Sequence, residues 1–376
     1  MKLKQFIQQE TVLTAATVLA VVSAFFVPPD AQYLGYIDLR TLAILFSLMT
    51  VMAGLRRQDF FDGLGRALLS RTHSTFQLTL VLVGLCFFGS MFITNDVSLL
   101  TFVPFTFVVL SRLRADVRCS LPIPVVCMQT IAANLGSMLT PIGNPQNLYL
   151  YGKSGMSIGG FVLLMLPYTL VSLLLLLAWA TLVCRKASAA LSVDELVSSS
   201  ASQGDQKIIL LYLVLFAVCL LSVIRVLPYG IAFAAVLVCA LFADPRTLRT
   251  VDYSLLLTFV AFFIFIGNLG RIPAFSGWLQ EFLTGREVLV AVLASQVTSN
   301  VPAALLLSGF TAETQALIIG TNLGGLGTLI ASMASLISYR QIARELPQGK
   351  KQYFGLFTLS NLIFLALLLG VWFLLR

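Results

Sequence analysis

Apolar residues run along this chain in long blocks, and a helix needs about 20 of them to cross a bilayer. The pattern predicts full crossings over residues 11–28, 39–56, 157–184, 207–224, 252–270 and 353–375. A shorter run at 229–243, bounded by Pro228 and Asp244, crosses as well. Four further apolar stretches, 76–113, 121–147, 286–310 and 312–338, are interrupted. The interruptions fall at Thr94-Asn95-Asp96, at Thr140-Pro141-Ile142-Gly143-Asn144-Pro145, at Thr298-Ser299-Asn300-Val301-Pro302, and around Asn322-Leu323-Gly324-Gly325. Such clusters leave backbone groups without helical partners, which is tolerated at membrane depth only where the backbone is buried in protein or lines a cavity.

Composition agrees with the pattern. The 376 residues are 58% hydrophobic and 11% charged, against about 25% charged in soluble chains. Disorder, coiled coil, collagen and disulfide scaffolds are excluded with the soluble classes. The fold class is an all-α polytopic membrane protein of about ten transmembrane helices plus two re-entrant hairpins. A net charge of +8 carries no argument for nucleic acid, because basic loops also orient a membrane protein.

Charge placement tests the topology. Let 76–113 be a hairpin entering from the cytoplasm, 286–310 one entering from outside, and the N-terminus cytoplasmic. The inside segments then hold Lys2, Lys4, Arg56, Arg57, Arg66, Arg71, Arg112, Arg114, Arg118, Arg185, Lys186, Lys207, Arg246, Arg249, Arg340, Arg344, Lys350 and Lys351. Outside are Arg40, Lys153, Arg225, Arg271, Arg286 and Arg376, so eighteen of the 24 basic residues are inside. Treating each hairpin as one full crossing destroys that asymmetry. The N-terminal run has no small-residue cleavage site and reads as a first transmembrane helix. Residues 186–206, rich in Ser and Ala, read as a cytoplasmic linker between halves 1–185 and 207–376.

The halves repeat. At a constant offset of 214, Asp38 matches Asp252, Leu42 Leu256, Arg57 Arg271, Phe61 Phe275 and Gly63 Gly277. The segments 60–64 and 275–279 suit interfacial arms lying flat at the surface. Thr94-Asn95 corresponds to Ser299-Asn300. The run from Asn134 to Ile142 shares Asn, Leu, Gly, Thr and Ile with the run from Asn322 to Ile330. An odd number of crossings separates the repeats, which inverts the second. Inverted repeats with paired broken helices mark secondary transporters, with the site near the midplane.

The breaks define the candidate chemistry. Half-helix N-termini attract anions, while free carbonyls with amide or hydroxyl side chains hold small cations. Candidate substrate contacts are Thr94, Asn95, Asn134, Gly136, Thr140, Pro141, Asn144, Ser299, Asn300, Asn322, Gly324, Thr328 and Ser332. The plain alternative is that these polar groups only cap broken helix ends. Asp96 is the one carboxylate inside a predicted intramembrane element, and a charge there costs at least about 2.5 kcal/mol. It is the candidate coupling residue, with Asn95 and Asn300 beside the ion; a sodium site falls at Asn95, Asp96, Gly143 and Asn144. Capping of the following half-helix is its alternative role. The second half has Val301 in that place.

No Lys or Arg lies in a break, so dipoles and amides would hold an anion. No P-loop occurs. The cysteines, 86, 119, 127, 184, 219 and 239, are scattered without CxxC spacing and read as small core residues, and His73 stands alone. No enzyme constellation or cofactor is indicated, apart from Na⁺ as a coupling ion.

The run from Ile93 to Pro104, followed by the run from Asn134 to Asn147, resembles the ion transporter superfamily. That group includes citrate-transporter-like permeases, arsenite permeases, sodium/proton antiporters and divalent anion–sodium symporters. The likeness extends from about Asp38 to Ile337. It implies a homodimer in which a transport domain moves against a scaffold in an elevator motion. The symporters carry Ser-Asn-Thr at both hairpin tips, where this chain has Thr94-Asn95-Asp96 and Ser299-Asn300-Val301. Asn95-Asp96 is more similar to the arsenite permease branch, which works with protons. The expected function is a secondary active carrier of a small anion, a carboxylate or inorganic oxyanion, coupled to H⁺ or Na⁺ in a prokaryotic cytoplasmic membrane. A cation/proton antiporter and an ion channel are the alternatives.

Overall fold

The computed structural model describes residues 10–69, 72–111, 113, 120–185 and 204–376. Lys2, Lys4, Arg71, Arg112, Arg114, Arg118, Cys119, Lys186 and linker residues 187–203 lie outside the described residues. Among those described, the regular elements are helices. The first half runs α1 (Thr11–Phe26), α2 (Gln32–Tyr36), α3 (Leu39–Arg57), α4 (Phe60–Leu69), α5 (Thr75–Ile93), α6 (Asn95–Ser111), α7 (Pro122–Ser137), α8 (Pro145–Ser154) and α9 (Ile158–Cys184). The second runs α10 (Gln206–Val223), α11 (Tyr229–Ala243), α12 (Tyr253–Gly270), α13 (Pro273–Leu283), α14 (Glu287–Thr298), α15 (Asn300–Leu307), α16 (Thr314–Leu323), α17 (Met333–Glu345) and α18 (Lys350–Leu375).

The apolar blocks fold as the hydropathy pattern dictates, with local chemistry fixing the ends. The Asp38 carboxylate accepts from the Thr41 N–H at 3.0 Å to start α3. Asp252 accepts from the Leu255 N–H at 3.0 Å to start α12. An N-cap of this kind satisfies a backbone donor that has no partner within the helix. The short helices α4 and α13 occupy the predicted arms. Six helices among the described residues are long and apolar enough to cross a membrane: α3, α5, α9, α10, α12 and the last, from Pro347 to Leu375. The helices α1, α6, α11 and α14 are shorter apolar segments.

Helix α5 departs from the simplest reading. The sequence makes it one arm of a returning hairpin, yet it has the length and hydropathy of a crossing helix. The chain nevertheless reverses at Thr94, and α6 folds back along α5, with Ser98 Oγ donating to the Cys86 carbonyl at 3.3 Å.

Helix α7 is buried along nearly its whole length. It packs against α5, α6, α9, α17 and α18 and forms the centre of the molecule. Gln129, Thr130, Asn134 and Ser137 lie on this helix and each is buried, as a helix surrounded by protein allows within a bilayer. By contrast α9 turns Leu163, Leu170 and Leu174 outward. Cys86, Cys127, Cys184 and Cys219 are buried in the core as expected, and Cys239 is half-buried.

Candidate functional site

The two hairpin tips share an unusual backbone. Thr94 has φ 66° and ψ 152°, and Ser299 has φ 76° and ψ 155°. This region is essentially reserved for glycine, and a β-branched residue there is a true outlier. Strain of this kind persists only where surrounding contacts over-determine it. At both tips those contacts are alike. The Asn95 N–H donates to the Gly143 carbonyl at 3.0 Å, and the Asn300 N–H to the Ala331 carbonyl at 3.0 Å. Thr140 Oγ1 donates to the Met91 carbonyl at 2.5 Å, and Thr328 Oγ1 to the Gln296 carbonyl at 3.2 Å. Each tip is thereby tied to the unwound loop of the broken helix that follows it.

Gly136 and Gly324 are close-approach positions between helices. A Cβ on Gly136 would lie 2.0 Å from the Phe87 carbonyl oxygen and 2.7 Å from Ser90 Oγ. On Gly324 it would lie 2.6 Å from Ser295 Oγ. Pro141 is buried, and Thr328 is exposed.

Between the two breaks runs a buried amide network. Asn144 caps α8 through the Asn147 N–H at 2.9 Å and donates to Asn322 Oδ1 at 3.0 Å. Asn322 donates in turn to Asn147 Oδ1 at 2.6 Å. In the opposite direction Ser332 Oγ donates to Asn134 Oδ1 at 3.0 Å, and Asn95 Nδ2 donates to the same oxygen at 3.1 Å. The structure therefore gathers Asn95, Asn134, Asn144, Asn322 and Ser332 into one buried cluster. Its members serve each other first, since an unpaired polar group costs about 1–3 kcal/mol when buried.

A cavity of about 480 Å³ reaches only the first tip. Thr94, Asp96, Asn144, Arg56, Arg57 and Asp252 supply its polar lining, and leucine and methionine side chains of α3 form much of its wall. Asp96 lies in the first turn of α6 and is half-buried. Its backbone N–H is held by Asn95 Oδ1 at 2.9 Å. No hydrogen bond or ion pair to its carboxylate is found among the described residues. Arg57 pairs with Asp244 at 3.3 Å, which also accepts from Thr247 Oγ1 at 2.7 Å. Arg56 has a backbone carbonyl, that of Leu100, at 3.4 Å, so its charge faces the cavity without a carboxylate partner among the described residues. Ser299, Asn300 and Val301 do not line this cavity; Val301 is packed to 7% exposure.

Four contributors carry no site role in the sequence reading. Arg56 and Arg57 serve there as cytoplasmic charges, Arg57 also as a repeat match, although their place at the end of a crossing helix puts them beside the breaks. Asn147 closes the run from Asn134 to Asn147 and carries no role there. Gln296, on α14, donates to the carbonyls of Gly324 and Leu326 at 3.0 and 2.9 Å and accepts from the Thr328 N–H at 2.9 Å. A polar residue three positions before the tip was its only signal.

The sequence model of the family described as "Citrate transporter" matches residues 7–316. The chain is 34% identical to inner membrane protein YbiR of Escherichia coli over 327 residues, 84% of each chain. It is 30% identical to an uncharacterized transporter of Methanocaldococcus jannaschii over 304 residues, 81% of each. A shorter likeness, 31% over 137 residues, covers 36% of this chain and 27% of a silicon efflux transporter of Oryza sativa subsp. japonica.

Proposed function

Because the chain belongs to the citrate transporter family, and is therefore a membrane transporter, we propose that it is a secondary active permease for a small anion. The anion is a carboxylate or an inorganic oxyanion, and its movement is coupled to H⁺ or Na⁺ by alternating access. The observation that carries this reading is the carboxylate of Asp96, without a partner among the described residues, held at a strained hairpin tip on the wall of a cavity. A half-buried carboxylate with no protein partner needs a proton or a cation as company. Asp96 thus takes the coupling ion, and Asn95, Gly143 and Asn144 surround it on the tip and the unwound loop. The anion enters past Arg56 and meets Thr94 and the half-helix N-termini.

The two broken regions form an inverted repeat in this reading. Support comes from matched contacts: the tip-to-loop bonds at Asn95 and Asn300, those at Thr140 and Thr328, and the reciprocal bonds Asn144 to Asn322 and Ser332 to Asn134. By the positive-inside topology the cavity opens to the cytoplasm, next to Arg56, so this conformation faces inward. The outward-facing partner state, the elevator motion and a homodimer belong to the same proposal.

The test is uptake by the purified protein in proteoliposomes, with a panel of small carboxylates and oxyanions under imposed pH or Na⁺ gradients. Saturable accumulation against the anion gradient is the expected result. Ion movement that needs no anion would point to a cation/proton antiporter, and single-channel conductance to a pore.

A further inference from the structure

The two breaks satisfy their loop carbonyls in different ways. In the first, Asn147 Nδ2 reaches the carbonyls of Ser137, Met138 and Thr140 at 3.4, 3.4 and 3.2 Å. Asn147 sits on α8, so the broken helix satisfies its own loop. In the second, the loop is satisfied by Gln296, which sits on the hairpin arm α14. Its Nε2 donates to Gly324 and Leu326, and its Oε1 accepts from the Thr328 N–H. Gly327, at φ 108°, lets the loop wrap this carboxamide, and a Cβ there would stand 2.3 Å from Gln296 Oε1. The residue matching Gln296 in the first hairpin is Met91, whose thioether cannot donate.

From this difference we infer that Gln296 is a positioning residue that locks the second hairpin and its unwound loop into one body. The first hairpin, lacking such a clamp, is the one that shifts against its loop when the coupling ion binds. Only two bonds described above, from the Asn95 N–H and from Thr140 Oγ1, join the first tip to its loop. The inference rests on the breaks being the working parts of the carrier. Its test reads backbone opening, so it stands or falls separately from any transport assay.

Asn95 N–H and Asn300 N–H are matched reporters, since each donates to the equivalent loop carbonyl at 3.0 Å. Site-resolved amide exchange is measured on the full chain in nanodiscs. In the wild type Asn95 N–H should exchange at least ~10-fold faster than Asn300 N–H, the ratio set by about one hydrogen bond of differential opening. Gln296→Met, which gives the second hairpin the residue of the first, should speed Asn300 and Thr328 to the rate of Asn95 while leaving Asn95 itself unchanged. Equal protection of Asn95 and Asn300 in the wild type overturns the inference, whether or not the variant folds. So does a Gln296→Met protein in which all three amides speed up together, the mark of a general loss of stability.

Discussion

The two hairpin tips share a backbone and differ in what surrounds it. Thr94 and Ser299 adopt nearly the same strained conformation, and each following Asn donates its N–H to an equivalent carbonyl. Beyond that point the first tip carries Asp96 on a cavity wall, while the second carries Val301 in packed surroundings. The common part is the architecture of a broken helix held by its neighbours. The differing part is where the chemistry is concentrated: at the first tip stand the Asp96 carboxylate, a cavity, and the Arg56 guanidinium with no carboxylate partner among the described residues. In the proposed reading, a shared frame with an ionisable group at one tip serves for binding on that side and as a wall on the other.

Glycine substitutions should separate the frames most sharply. Gly136→Ala forces a Cβ to within 2.0 Å of a backbone oxygen, whereas Gly324→Ala meets the Ser295 hydroxyl at 2.6 Å and the Gly320 carbonyl oxygen only at 2.8 Å. The first should cost about 3 kcal/mol or more and lower folded yield, and the second about 1–2 kcal/mol, the range for overpacking. Thermal melts in detergent decide this, and equal costs would break the comparison. Next comes the exchange of the tip residues. Val301→Asp buries a carboxylate with no opening beside it and should destabilise by roughly 3 kcal/mol. Asp96→Val should leave stability unchanged or raise it by up to about 2 kcal/mol while ending coupled uptake, a trade of activity against stability.

Relief of strain should be symmetrical. Thr94→Gly and Ser299→Gly are each expected to add about 1 kcal/mol to stability, and only the former, whose side chain lines the cavity, should also change substrate affinity. The smallest effect concerns the interfacial arms, where Asp62 of α4 matches Ser276 of α13. Partial burial, together with the nearby Asp59 carboxylate, holds the Asp62 pKa above its ordinary value despite Arg66 and Arg56. The folded state therefore binds this proton more tightly than the unfolded state, and stability is lost as pH rises through and above the usual carboxylate range. Asp62→Ser should raise Tm by a degree or less at neutral pH and by nothing at a pH below that range.

Much of this comparison was legible in the chain. Blocks of apolar residues set the helices, and Asp38, Asp252 and the four polar clusters marked starts and breaks, although the fourth break runs on from Gly324 to Ser332, past its cluster. Asn95, Asn134, Asn144, Asn322 and Ser332 stood among thirteen candidates drawn from the four breaks, and these five meet in space. Position across the fold was the hidden part. Arg56 is distant in sequence from Asp96, and only the packing of α3 beside the first tip puts both on one cavity. Glycine roles were also hidden, since Gly136 in a break looks like a ligand contact until the Phe87 carbonyl is seen against it. Gln296 lies within an apolar arm, where periodicity says nothing of a side chain wrapped by a loop.

Uptake by reconstituted Asp96→Asn protein, beside the wild type, tests the central claim most directly. Anion accumulation is followed under an imposed pH gradient and, separately, a Na⁺ gradient, with Tm confirming that the variant is folded. Gradient-driven accumulation should fall by about 100-fold or more while the melt stays within a few degrees, because an amide keeps the shape and loses the ion. Accumulation that persists with the same ion dependence as the wild type would contradict it.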